Sequence, residues 1–214
     1  FDSYHLLNDG TTHHIASLMQ NRYKGYSHNV RLGMDYNFSK NHLLSLVYQL
    51  ANTSGSSRQT TTGDIMSIVD FKKHKWLHNL RLDYIAPFGL KAGAELTYYH
   101  NPSHENFQST IPTGAMQVAV DNEQRVNRWR FYLAKEHQLK DGWGLNYGAI
   151  YNTSINHGSQ NYAQVHSTTG YSPLSSFTRL REENVNFYVG GDKVLGKKLS
   201  AEASLAAEYY HTLL

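Results

Sequence analysis

The stretch Trp143-Gly144-Leu145-Asn146-Tyr147-Gly148-Ala149-Ile150-Tyr151-Asn152 alternates without a break. Trp143, Leu145, Tyr147, Ala149 and Tyr151 take the odd positions, and Gly144, Asn146, Gly148, Ile150 and Asn152 the even ones. Successive side chains of an extended chain point to opposite faces, so the stretch reads as a strand with one apolar face that carries an aromatic at each end.

Working outward, the same rule returns in seven more segments. Val30, Leu32, Met34, Tyr36 and Phe38 oppose Asn29, Arg31, Gly33, Asp35 and Asn37. Leu44, Leu46, Tyr48 and Leu50 oppose Ser45, Val47, Gln49 and Ala51. Trp76, His78, Leu80, Leu82 and Tyr84 oppose Lys75, Leu77, Asn79, Arg81 and Asp83. Leu90 to Tyr98, Arg128 to Leu133, Asn184 to Gly190 and Leu199 to Tyr209 follow suit. At least eight antiparallel strands are expected.

Short polar or Gly-containing turns fall at Ser39-Lys40-Asn41, Pro87-Phe88-Gly89, Leu139-Lys140-Asp141-Gly142 and Leu195-Gly196-Lys197-Lys198. Between them lie long polar stretches, roughly Thr53 to Gly63, His100 to Asn122 and Ile155 to Arg179, which read as loops. Tight turns at one end and long loops at the other are the asymmetry of an outer-membrane barrel, with short periplasmic turns and long extracellular loops. The fold class expected is therefore all-β, an antiparallel transmembrane outer-membrane β-barrel or a partial segment of one. No composition break divides residues 1–214, which read as a single β-barrel region.

Alternation alone also describes a half-buried soluble sheet. Two features favour a membrane. Phe38, Tyr84 and Trp143 fall beside the tight turns, whereas Tyr48, Trp76, Tyr98, Tyr151 and Tyr209 fall toward the polar stretches, which makes these eight the expected aromatic girdle. Trp76 to Tyr84 and Trp143 to Tyr151 are eight residues apart, ~20 Å across a wall of tilted strands, against an expected band of about 25 Å. The opposite face is charged: Arg31, Asp35, Arg81, Asp83, Lys91, Glu95, Arg128, Arg130, Glu202 and Glu208 are the lumen-lining candidates. They read either as cross-strand ion pairs that hold a barrel wall or as the lining of a path for a polar solute.

Composition closes other routes. The 214 residues contain no cysteine, so disulfides and thiolate metal sites are excluded. No run nears the ~18 to 20 apolar residues of a membrane helix. The formal charge of +3 is scattered, so no basic stripe points to nucleic acid. The chain opens on Phe1-Asp2-Ser3 without a signal-peptide pattern, as a mature or truncated product would.

Gly25-Tyr26-Ser27-His28-Asn29-Val30-Arg31-Leu32-Gly33-Met34-Asp35-Tyr36 resembles the strands of TonB-dependent outer-membrane receptors. Arg128-Trp129-Arg130-Phe131-Tyr132-Leu133, turning through Lys140-Asp141-Gly142 into Trp143, is similar to a strand pair of that barrel family. The resemblance is one of pattern, shared with other large outer-membrane barrels. It implies a transport or receptor barrel in the outer membrane of a Gram-negative bacterium, importing a polar solute, with more strands than are seen here. It also implies a plug domain outside this chain, and with such a plug an energy-coupling protein as partner. Outer-membrane lipid is the first partner expected, and other outer-membrane or lipoprotein subunits are further candidates. The chain ends Tyr209-Tyr210-His211-Thr212-Leu213-Leu214, without the terminal aromatic of such barrels, and Phe1 to Ser17 reads as the tail of a preceding strand with its outer loop. A central or partial segment of a longer barrel is expected. The other reading is a small self-contained barrel of about eight strands with a structural, adhesive or assembly role.

Thirteen histidines raise the question of a metal or haem. His13 and His14 are adjacent and would point to opposite faces if extended, and His100 and His104 flank Asn101-Pro102-Ser103 in an expected outer loop. No HExxH spacing, Gly-x-Ser-x-Gly elbow or phosphate-binding Gly loop is present. No cofactor, metal site or catalytic residue is expected, and the chain does not read as an enzyme. A hydrolase or acyltransferase with catalytic residues at the barrel rim is the minor alternative.

Overall fold

A computed structural model describes residues 2–6, 12–111, 114–168, 170, 173–195 and 199–214. Nine strands follow in chain order: β1 (Asp2–Leu6), β2 (Thr12–Ser39), β3 (His42–Gly63), β4 (Met66–Ile85), β5 (Leu90–Ile111), β6 (Gly114–Gln138), β7 (Trp143–Ser167), β8 (Ser176–Val194) and β9 (Ser200–Leu213). Each pairs antiparallel with the next, so the spatial order is the chain order. The only helical turn among the described residues is Lys140–Gly142.

The turns at one end are chemically prepared. Asn41 and Asp141 adopt left-handed backbone (φ 62° and 61°), which short amide and carboxylate side chains tolerate best. Ala86, Gly89 and Leu90 close the β4–β5 turn through Ala86 N–H to Leu90 O at 2.8 Å and Gly89 N–H to Ala86 O at 3.1 Å. In the β8–β9 connection Leu195 N–H donates to Leu199 O at 2.9 Å, while Gly196, Lys197 and Lys198 lie outside the described residues.

At the other end the expectation of long loops is corrected. Thr53 to Gly63 is the second half of β3, joined to β4 by Asp64 and Ile65 alone. His100 to Asn122 belongs to β5 and β6 apart from residues 112–113, and Ile155 to Arg179 to β7 and β8 apart from residues 168–175. Polar composition there reports water on both faces, not irregular backbone, because the ladder satisfies the main chain whatever the side chains are. At ~3.3 Å per residue the 28-residue β2 is about 90 Å long, three times a bilayer's hydrocarbon thickness. The hairpins therefore continue well beyond any apolar band.

Pro102 interrupts one ladder only. It pairs with Glu123 on β6, but the β4–β5 register skips from Lys73↔Ser103 to Trp76↔His100 at its level, as a residue without an N–H requires. Of the earlier reading of Phe1 to Ser17, Phe1 and residues 7–11 lie outside the described residues. The rest pairs β1 with the start of β2 from Asp2↔Ala16 to Leu6↔Thr12.

Register propagates parity across the sheet. Met34↔Leu46↔Leu82↔Ala94↔Phe131↔Tyr151↔Val185↔Tyr209 is one continuous row, so the eight apolar faces merge into one surface. Nothing covers it. Leu32 is 63% exposed, Phe187 58% and Leu205 77%, and the only buried apolar residues among those described are Ala86, Val118, Ala119 and Val120. A water-soluble domain buries such a face against a second layer; here there is one layer.

Beyond the band the polarity inverts. Val69↔Phe107↔Val118↔Val165 forms a row on the face that carries the charges lower down. Cross-strand apolar pairs of this kind support hairpins that project beyond the apolar band.

The sheet does not close. Among the described residues β1 pairs only with Thr12 to Ala16 of β2, which leaves the outer edge of β2 without a strand partner from Leu18 to Ser39. Among the described residues the outer edge of β9 has no strand partner, and β2 and β9 do not pair with each other.

Candidate functional site

The register places the ten charged candidates on one face and the eight aromatic candidates on the other. Arg31, Asp35, Arg81, Asp83, Lys91 and Glu95 are odd positions of β2, β4 and β5. They share a face with even positions of β6 and β9, because Glu95 pairs with Arg130 and Asn186 with Glu208.

The aromatics form a line that crosses the register obliquely. Trp76 on β4 pairs with His100, yet the aromatic of β5 is Tyr98, two residues nearer the turns. Tyr98 pairs with Asn127, and the aromatic of β6 is Trp129; Trp129 pairs with Thr153, and that of β7 is Tyr151. Tyr151 and Tyr209 then share Val185 as partner. Followed straight across through His100, Arg125 and His157, Trp76 aligns with Arg179, six residues from Val185 (185 − 179). Six residues are ~20 Å of strand, and the five strand spacings from β4 to β9 are ~24 Å, so the line makes an angle of about 40° with the register. On β2, Tyr26 continues it, two residues beyond His28, which aligns with Trp76 through Asn52.

A second line lies near the turns. Tyr84 aligns with Phe187 through Ala92, Leu133 and Ala149, whereas Trp143 pairs with Lys193, six residues further toward the turns (193 − 187). The two lines drift the same way and stand eight residues apart on both β4 and β7. Tyr48 pairs with Leu80 and so stands between the two lines. There its hydroxyl meets Nδ1 of His78 at 2.8 Å, which provides a partner for a histidine on an otherwise apolar surface. Tyr26 and Trp129 stand on the upper line although the sequence does not single them out, because their place shows only once the register is known.

The charged face is a hydrogen-bonded lattice. Arg81 Nε donates to Asp83 at 2.7 Å, and the Tyr132 hydroxyl donates to the same carboxylate from two strands away. Asn79 donates to Glu95 at 2.8 Å and to Thr97 at 2.9 Å. Lys91 pairs with Glu136 at 2.6 Å, Asn184 donates to Glu208, and Glu182 accepts from Tyr210 at 2.6 Å and Ser154 at 3.1 Å. Arg130 is different: its Nε is enclosed and has no hydrogen-bond partner among the described residues. Arg81, Glu95, Arg130 and Tyr132 line a concavity there of about 220 Å³.

His100 and His104 sit on β5, not in a loop. His100 Nε2 donates to Glu123 at 2.7 Å, and His104 Nδ1 to Asp121 at 2.6 Å. The hydrogen bond from His100, joined by that from Arg125, holds the Glu123 carboxyl below its ordinary range against a smaller desolvation effect. No group of three or more potential metal ligands occurs among the described residues. The side chains of His13 and His14 lie outside what the structure describes.

No protein-family model and no curated protein sequence matches the chain. Among solved structures it is similar to the ferric yersiniabactin uptake receptor FyuA from Yersinia pestis, at 9% identity and a TM-score of 0.45, over 88% of this chain and 33% of that one. Pyoverdine-bound FpvA from P. aeruginosa gives 12% identity and 0.44 over 94% and 38%. BauA, the ferric preacinetobactin receptor from Acinetobacter baumannii, gives 8% and 0.42 over 93% and 41%. The chain thus spans between a third and two fifths of the length of these proteins, and the likeness is one of strand arrangement.

Proposed function

We propose that this chain is part of the wall of an outer-membrane transport or receptor barrel, with its apolar face against lipid and its charged face toward a polar interior. The oblique aromatic lines carry the reading. A membrane slab cuts tilted strands along a line that is level in the bilayer and diagonal in the register, and barrel strands tilt by ~35 to 45°. A soluble sheet is under no such constraint. The uncovered apolar face adds to this, since water would drive it against a second layer and lipid would not.

The free edges of β2 and β9 favour a wall segment of a larger barrel over a small self-contained one, because unpaired backbone is not tolerated in hydrocarbon. Within such a barrel Arg31, Asp35, Arg81, Asp83, Lys91, Glu95, Arg128, Arg130, Glu202 and Glu208 line the interior. Most described partners hold the wall together, and Arg130 is the group best placed to meet an anionic part of a passing solute. The finer assignment, import of a polar solute by a TonB-dependent receptor, rests on the strand patterns at Gly25 to Tyr36 and Arg128 to Gly148. No enzymatic role is proposed.

Spin labels at Leu80, Leu96 and Leu205 of the full-length protein in vesicles test the orientation. Accessibility to an apolar relaxant, with labels at Arg81, Glu95 and Glu202 accessible only to a polar one, is the expected result. Leucine sites shielded from both relaxants would mean a packed soluble core. Solute uptake that persists without the energy-coupling protein would remove the TonB-dependent assignment alone.

A further inference from the structure

Just past the upper aromatic line, the apolar face gives way to a trough of about 970 Å³. Its floor is made of small residues, Ser54 and Ser56 on β3. Lys24 on β2 and Lys72 on β4 stand on either side, each paired by register with Ser56. Two strand spacings, about 10 Å, separate their backbones, a gap that two lysine side chains can close onto one anion. Both are exposed and neither is in an ion pair among the described residues; the carboxylate that Lys72 acts on, Asp70, is already held through both oxygens by Arg58 at 2.7 Å. Asp121 and Glu123 on the far wall are already engaged, by His104 and by His100 with Arg125.

The height is the second observation. Lys24 lies two residues past Tyr26 and Lys72 four past Trp76. Projected through a 40° tilt, those offsets are about 5 and 10 Å above the aromatic line. The polar zone of a bilayer begins at that level and is ~5 to 8 Å deep on each side. Lysine stems reach along an apolar surface while their ammonium groups stay in the polar zone.

Resting on the membrane reading above, we propose that this trough holds a phosphate group of a phosphorylated outer-leaflet lipid, with Lys24 and Lys72 closing on it and the acyl chains lying along the apolar face below. The trough opens on the lipid-facing side, and that side is what selects a lipid over a solute of the interior.

The test is binding of a diphosphorylated, acylated glucosamine-disaccharide lipid to the full-length protein in mild detergent, followed by native mass spectrometry. The double variant K24Q/K72Q should lower affinity roughly thirtyfold at low salt, with a loss that shrinks as salt rises. K140Q, at the opposite end of the sheet, should change little. An equal loss in K140Q would mean unspecific charge attraction, and displacement of the lipid by equimolar inorganic phosphate would mean a soluble-anion site. Either overturns the proposal. If spin labels at Leu80 and Leu205 report lipid but K24Q/K72Q binds normally, this site fails alone; if those labels report a packed core, the membrane reading fails with it.

Discussion

Tyr132 on β6 occupies the space that a side chain at Gly93 on β5 would need, and its hydroxyl donates to Asp83 on β4. One aromatic ring thus ties three strands together on the charged face, where Gly93 is the register partner of both Tyr132 and Asp83. Tyr188 stands over Gly148 and Tyr23 over Gly55 in the same manner. Glycine in a strand interior is costly by itself, and an aromatic that covers it on the neighbouring strand offsets that cost.

Gly93→Val should therefore destabilise by about 1 to 3 kcal/mol, because the Tyr132 ring must leave and Asp83 loses a donor. Gly158→Ala is the control, since a Cβ there meets nothing within 4 Å. Denaturant midpoints in detergent should drop for the first variant and barely move for the second. Equal midpoints would show that Tyr132 moves aside freely.

The oblique aromatic lines predict depth. Leu80 aligns with Glu183 through Leu96, Trp129 and Thr153, whereas Leu205 pairs with Val189, six residues further toward the turns (189 − 183). In strands normal to the membrane the two leucines would differ in depth by ~20 Å. In strands tilted by ~40° both sit near mid-band, and depth-dependent quenching should place them within a few ångströms. Arginine at either position should cost about 2 to 4 kcal/mol in a bilayer. Depths 20 Å apart would refute the tilt.

Acid should loosen the projecting β5–β6 hairpin only at low pH. The Glu123 carboxyl is held below its ordinary range, chiefly by His100. A group with a depressed folded pKa contributes stability that is fully present above its unfolded value and is lost as pH falls through the folded one. Protection of amides near His100 and Glu123 against hydrogen exchange should therefore persist through neutral and mildly acidic pH and fall below the ordinary carboxylate range. In Glu123→Gln that step should vanish; if it remains, another group sets it.

Edge pairing is open to chemistry. Cysteines at Met34 and Leu46, register partners on β2 and β3, should form a disulfide in the full-length protein. Cysteines at Met34 and Ala207 on β9 should not, because other strands stand between. Cross-linking of β2 to β9 at this or a neighbouring register would mean a ring sealed within this chain, and the larger-barrel reading would lose its main support.

Which face each residue occupies was determined by the sequence alone, as the alternation around Trp143 to Asn152 illustrates. Parity is a local property of an extended chain and survives any pairing partner. The turn residues were equally legible, because Asn41 and Asp141 favour left-handed backbone wherever they stand. Height was not legible. Whether Tyr48 or Tyr26 stands level with Trp76 depends on how far each strand slides past its neighbour, and that is settled only by the ladder as a whole. The same limit turned the polar runs Thr53 to Gly63 and His100 to Asn122 into expected loops, since composition distinguishes wet from dry but not paired from unpaired backbone. Only the tertiary structure, which sums eight registers, set Tyr26 and Trp129 on one line with Trp76 and left both edges of the sheet open, because strand pairing is a long-range choice that no single segment encodes.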